Sequence, residues 1–121
     1  MKIATLTAKN DVWVWSAKNR IILNYPTRQT GELVGISFNS RGDKLYAASI
    51  DGDIVEWDLN VSSFRPKILT HDAMINVYDM SSDGRYAVTG GRDNRVRIWD
   101  TKELRLHKEA QLSGEVASIV Y

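Results

Sequence analysis

Arg95-Val96-Arg97-Ile98-Trp99-Asp100 is a short alternating stretch that closes on Trp-Asp. Asp53-Ile54-Val55-Glu56-Trp57-Asp58 ends the same way, and its Trp57 lies 42 residues before Trp99. Trp15, in Asp11-Val12-Trp13-Val14-Trp15-Ser16, lies a further 42 residues upstream. A fixed period of this size, with a tryptophan closing a strand at each step, marks one supersecondary unit repeated along the chain. Within Arg95-Val96-Arg97-Ile98-Trp99-Asp100, Val96 and Ile98 share one face of the predicted strand and Arg97 and Trp99 the other.

The unit extends outward from its tryptophan in both directions. Before Arg95, residues 77–80 and 86–89 read as two strands separated by the turn Ser81-Ser82-Asp83-Gly84. Its polar side chains can bond their own backbone, and Gly84 is free to take a positive φ. Gly91-Arg92-Asp93-Asn94 is the next turn, and residues 104–112 hold a fourth, polar strand. Arg105, Lys108 and Glu109 there supply the charge that protects an outer edge from stray pairing. One period earlier come Leu33–Phe38, the turn Asn39-Ser40-Arg41-Gly42, Lys44–Ser49, the turn Ile50-Asp51-Gly52, Asp53–Asp58 and an outer strand within 64–69. No helix-period stripe interrupts this. The fold class is all-β, built from units of four antiparallel strands.

With 16 basic and 15 acidic residues, the chain exerts no strong pull on nucleic acid or an anionic membrane. The absence of cysteine excludes disulfides and thiolate metal sites and suits a reducing compartment. Only His71 and His107 could supply nitrogen ligands, so no metal and no cofactor are expected. No stretch approaches the roughly 20 apolar residues of a membrane span. Met1-Lys2-Ile3-Ala4-Thr5-Leu6-Thr7 lacks a signal-peptide core. A cytoplasmic location is expected.

These residues resemble the WD-repeat β-propeller family over essentially the whole chain. The resemblance rests on His71, the Ser82-Asp83-Gly84 turn, Thr89-Gly90-Gly91, Asp93 and Val96-Arg97-Ile98-Trp99-Asp100. Thr70 replaces the glycine that usually precedes the histidine. The preceding unit is weaker, with Gln29 and Ala47 at the positions of His71 and Thr89, although Asp51, Trp57 and Asp58 remain. The first unit keeps little beyond Trp15. In the family's strand order, residues 1–31 are part of one blade, 32–70 and 71–112 full repeats, and 113–121 the start of another. The twelve expected strands include residues 1–4 as a second strand and a stretch from Val116 to Tyr121 as a first strand.

Three blades per chain fall short of the about 4–8 that close a propeller. A homodimer would resolve this, the strand from Val116 to Tyr121 completing the blade of the partner's N-terminal strand in a two-fold six-bladed ring. A fragment of a longer propeller is the competing expectation, and the two are compatible.

His71, Thr89 and Asp93 carry the groups of a hydrolytic triad. The resemblance implies instead a buried structural chain, Asp93 to His71 to Thr89 to Trp99, in which no polar group is orphaned. A hydroxyl sealed between blades cannot attack a substrate. Arg41-Gly42-Asp43 spells an integrin-binding tripeptide, but it occupies a hairpin turn. Asn60-Val61-Ser62 matches a glycosylation sequon by letter only. Asp51-Gly52-Asp53 lacks the spaced carboxylates of a calcium loop. Arg92, Arg95 and Arg97 form a basic cluster too small to argue for nucleic acid.

The resemblance implies a non-catalytic scaffold that binds protein or peptide partners, with neither nucleic acid nor membrane involved. Its docking surface would be the face carrying the second-to-third-strand turns and the loops between blades, where Arg28, Thr30, Ile50, Asp72, Met74, Arg92 and Asn94 fall. The alternative is a sensor or autoinhibitory segment of a larger signalling protein. An enzyme would need acidic or histidine side chains converging on the central channel, and those are scarce.

Overall fold

The computed structural model describes residues 1–16, 18, 22–25, 31–61 and 63–119. Eleven strands run through the described residues: β1 (Lys2–Leu6), β2 (Val12–Ser16), β3 (Ile22–Tyr25), β4 (Leu33–Phe38), β5 (Lys44–Ser49), β6 (Asp53–Asp58), β7 (Ser63–Thr70), β8 (Ile75–Met80), β9 (Tyr86–Gly91), β10 (Arg95–Asp100) and β11 (Arg105–Gln111). They form one three-stranded sheet, β1-β2-β3, and two four-stranded sheets, β4-β5-β6-β7 and β8-β9-β10-β11, all antiparallel. We call these blades 1, 2 and 3. Among the described residues there is no helix long and apolar enough to cross a membrane.

The two-residue period of a strand gives the middle blade two buried faces. Leu45, Ala47, Val55 and Trp57 point one way and pack with Val12 and Val14 of blade 1. Tyr46, Ala48 and Ile54 point the other way and pack with Ile75, Met80, Ala87 and Trp99 of blade 3. The core is therefore two slabs between sheets, each built from strands of the two blades it joins.

The repeat extends to backbone detail. The second-to-third-strand turns place Asn10 (φ 65°), Gly52 (φ 102°) and Asn94 (φ 61°) in the left-handed region at 42-residue intervals. Asparagine and glycine are the residues that tolerate it. At Gly52 the requirement is double, because a Cβ there would collide with the His71 carbonyl oxygen. The first strand of each four-stranded blade is irregular at the same place, between Leu33 and Gly35 and between Ile75 and Val77.

Among the described residues the expected twelfth strand is not formed. Residues 112–119 are irregular, and 120 and 121 lie outside the described residues. The physical reason is the lack of a partner within reach. A first strand must pair with a second strand, and β5 and β9 already carry β4 and β8 on that edge. Val116 is nonetheless buried, resting over Gly90 close to Val77.

Candidate functional site

His71 lies in the loop that leads from blade 2 into blade 3. Its backbone N–H donates to the Gly52 carbonyl at 2.7 Å, and its own carbonyl accepts from Ala73 N–H at 2.7 Å. This fixes the ring under the loop face. Trp99 Nε1–H donates to Thr89 Oγ1 at 2.8 Å, and Thr89 Oγ1 lies 2.7 Å from His71 Nδ1. His71 Nε2 lies 3.2 Å from Asp93 Oδ1. A carboxylate only accepts and a neutral imidazole carries one N–H, so that proton sits on Nε2 and Nδ1 is the acceptor. Thr89 donates to Nδ1, and the Nε2–H of a neutral imidazole donates to Asp93.

Burial pushes the His71 imidazole below its ordinary pKa, against the opposing pull of the Asp93 hydrogen bond. Burial alone would raise the Asp93 carboxyl. The hydrogen bonds from Arg97 and His71 outweigh it and hold Asp93 at about 2. Arg97 Nη1 donates to Asp93 Oδ2 at 2.7 Å and Nε to Glu109 Oε2 at 3.1 Å. Arg95 is also paired, with Glu109 at 3.0 Å and Gln111 at 2.8 Å. Arg95 and Arg97 are thus spent inside their own blade, which leaves Arg92 of the cluster. Thr89 is fully buried, so its hydroxyl meets no substrate.

The other blades hold reduced versions. Blade 2 has Ala47 where blade 3 has Thr89, and Trp57 is buried in the apolar slab. Blade 1 keeps more than its sequence suggested. Trp15 Nε1–H donates to Thr5 Oγ1 at 3.3 Å, the counterpart of Trp99 and Thr89. The signal was available, since Thr5 stands two whole periods before Thr89.

The loop face gathers most of the expected docking residues. Asp72 and Met74 are exposed beside the His71 loop, and the Met74 carbonyl accepts from Arg92 N–H at 2.9 Å. Arg92 is exposed, with Nε 3.7 Å from Glu115 Oε1. Ile50 is half-buried, its N–H donating to the Glu32 carbonyl at 2.7 Å and its carbonyl accepting from Ile75 N–H at 3.1 Å. Asn94 is half-buried, and its carbonyl accepts from Leu112 N–H at 2.7 Å. Arg28 and Thr30 lie outside the described residues.

Two residues on this face were not singled out from the sequence. Asn10 Nδ2 donates to the Gly31 carbonyl at 3.1 Å while its Oδ1 accepts from Leu33 N–H at 2.7 Å, pinning blade 2's entry to blade 1. Glu115 accepts from Asn76 Nδ2 at 2.5 Å as well as approaching Arg92. Asn10 could have been found from its turn position 42 residues before Gly52; Glu115 carried no comparable signal.

On the opposite face a cleft of about 450 Å³ opens between blades 2 and 3, lined by Asn39, Lys44, Glu56, Asp83, Arg85 and Thr101 among others. Its charges are largely paired. Arg85 grips Asp100 through Nε at 3.0 Å and Nη2 at 2.7 Å, and Lys44 Nζ lies 3.5 Å from Glu56. Burial, with Glu56 adding to it, pushes the Tyr46 hydroxyl up. Among the described residues no group of three or more His, Asp or Glu side chains could hold a metal ion. The Arg41-Gly42-Asp43 turn is also committed, with Lys2 Nζ donating to the Gly42 carbonyl at 2.8 Å and Asn39 Nδ2 to Asp43 at 2.6 Å.

Comparison with known proteins agrees with this architecture. Residues 64–100 match the family described as "WD domain, G-beta repeat" (WD40). The chain is 33% identical over 76 residues to Protein groucho of Drosophila melanogaster, covering 63% of this chain and 10% of groucho. Among solved structures it is similar to the Cps50 (Swd1) beta-propeller domain of Myceliophteria thermophila. That match has a TM-score of 0.61 and 27% identity, covering 71% of this chain and 27% of that one. The chain therefore spans about a tenth of the length of the curated relative it matches.

Proposed function

We propose that this chain, a member of the WD-repeat β-propeller family, is a non-catalytic scaffold that takes protein or peptide partners on its loop face. Propeller domains of this family generally serve as protein-interaction scaffolds and are typically non-catalytic. The observation that carries the reading here is the fixing of the loops from below. The bonds from Gly52 to His71 and from Asn94 to Leu112 tie each turn to the start of the next loop. Loops held by a rigid framework present side chains at little ordering cost, the condition for recognition. Met74 and Arg92, an apolar and a cationic side chain exposed together, have the composition of an interface centre. A cytoplasmic setting belongs to the same proposal, in keeping with a cysteine-free sequence.

Closure belongs to it too. Ile3 is 50% exposed and Trp15 42%, whereas their period-related counterparts Leu45 (0%), Trp57 (2%) and Trp99 (5%) are buried by the preceding blade. Two copies completing one six-bladed ring would cover that face.

The test compares partners captured from cytoplasmic extract by the unmodified chain and by Met74→Ala and Arg92→Ala, with thermal melts alongside. Loss of partners with unchanged melts is the expected result. Identical capture by all three would overturn the loop-face reading.

A further inference from the structure

On the reading that two copies close one ring, we infer that residues 115–119 of one copy add to the open edge of β1 of the other as a first strand, in a defined register. Val116 stands opposite Thr7, Ser118 opposite Leu6 and Ile119 opposite Thr5.

The receiving edge is visible in the topology. Among the described residues, β1 is bonded to β2 alone, whereas the equivalent strands β5 and β9 carry β4 and β8 on their other side. An unpaired edge of this kind is a template for an added strand.

The donated segment is already placed like a first strand. The bond from His71 N–H to the Gly52 carbonyl recurs as Leu112 N–H to the Asn94 carbonyl, both at 2.7 Å. Counting forward from those two anchors, Ile75 and Val116 are each the fourth residue on. Both are buried, as is Leu33 at the same place in blade 2. Each packs on the blade before it: Leu33 with Val12 and Val14, Ile75 with Ala48 and Ile54, Val116 against Val77 and Gly90. A Cβ on Gly90 would come within 2.6 Å of Val116 Cγ1, so the glycine makes room for this docking. Val116 thus has the packing of a first strand without its ladder.

The donated side is aligned on its anchors, where the spacing is one short of the period (112 − 71 = 41), and the receiving side by translation of 42 residues. Leu33 pairs with Ser49 and Ile75 with Gly91, and the residue one period before Ser49 is Thr7. Both ladders skip one residue there, then continue as Gly35 with Ala48 and Ile36 with Ala47, and as Val77 with Gly90 and Tyr78 with Thr89. Carried to the free edge, these become Ser118 with Leu6 and Ile119 with Thr5.

The occupant is a second copy because the two halves face apart in one chain. β1 packs toward β4, while Val116 lies on the far side of blade 3, with blade 2 between them. One chain thus carries both the socket and the strand that fills it, and two chains satisfy each other twice.

The chain has no cysteine, which makes crosslinking a clean test. Directly opposed strand residues meet the distance needed for a disulfide, and residues three positions away do not. Thr7→Cys/Val116→Cys and, as a second in-register pair, Thr5→Cys/Ile119→Cys should each give a covalent dimer under mild oxidation. Ala4→Cys/Val116→Cys should stay at least tenfold less crosslinked. The unmodified chain, weighed by light scattering, should run near twice 13.7 kDa. A dimer by mass that crosslinks only out of register, or not at all, overturns the pairing and leaves the ring standing. A monomer at every concentration overturns both, and a disulfide closed within one chain overturns the second copy as occupant.

Discussion

Trp15 donates to Thr5 at 3.3 Å in the same repeat position where Trp99 donates to Thr89 at 2.8 Å. The first pair is open to solvent, and among the described residues it ends there. The second is buried and continues through His71 to Asp93. The same two side chains therefore contribute unequally, and the difference is the histidine together with the blade that covers it.

His71→Ala strands Thr89 and Asp93 and leaves a small void in a buried loop. The expected cost is about 1–3 kcal/mol from the unsatisfied partners, read from chemical denaturation. Thr5→Ala should cost well under that, because water replaces the lost bond. Equal costs for the two would show that burial is not what gives the network its strength.

Acid should unfold the chain in two stages. The His71 pKa is lowered in the fold from 6.5, so the unfolded chain takes up the proton first. The stability due to neutral His71 is complete above 6.5 and drains away as pH falls below it. Asp93 sits at about 2 against 3.8 when unperturbed, so its contribution is complete above 3.8 and is lost toward 2. Denaturation midpoints measured from pH 8 to pH 2 should fall from near 6.5 downward, and His71→Gln should flatten the upper stage. A wild-type profile level from pH 7 to 5 would contradict the buried neutral imidazole.

Gly52→Ala forces an alanine into a φ of 102° and drives its Cβ into the His71 carbonyl. A loss of about 1–3 kcal/mol is expected for the backbone strain alone, with the melting temperature as readout. Gly42→Ala is the control, since it shares a positive φ but has open space around it. The Gly42 variant should be the milder of the two.

Trp57→Ala empties the slab between blades 1 and 2 and should cost about 3–5 kcal/mol. Trp15→Ala removes a side chain that is exposed in the single chain. Its effect should appear in the concentration dependence of the molar mass, with little change in the unfolding of dilute protein. A large loss of stability in dilute Trp15→Ala would show that this tryptophan supports its own blade.

The strands were legible because each carries its own period and ends in turn residues. Arg95–Asp100 alternates faces as its pattern implies, with Arg97 and Trp99 both buried. The four members of the His71 network could be named because they fall in one unit at family spacing. Thr5 is hard to single out because the first unit keeps little of the pattern beyond Trp15, and its bond forms only through pairing of β1 with β2. The stretch after Leu112 was harder still. Its sequence is that of a strand, but a strand needs an edge to pair with, and no local pattern shows where that edge is. Glu115 gained its contacts with Asn76 and Arg92 from loop geometry that no local pattern encodes.

Asn10 reaches from blade 1 to the backbone that opens blade 2, and Gly52 and Asn94 likewise hold the starts of the loops after β7 and β11. Shape on the loop face is therefore shared between neighbours, each bond holding both of the loops it joins. Grafting a new recognition loop onto one blade would disturb its partner across that bond. Anyone redesigning this surface should change turn and succeeding loop as a pair.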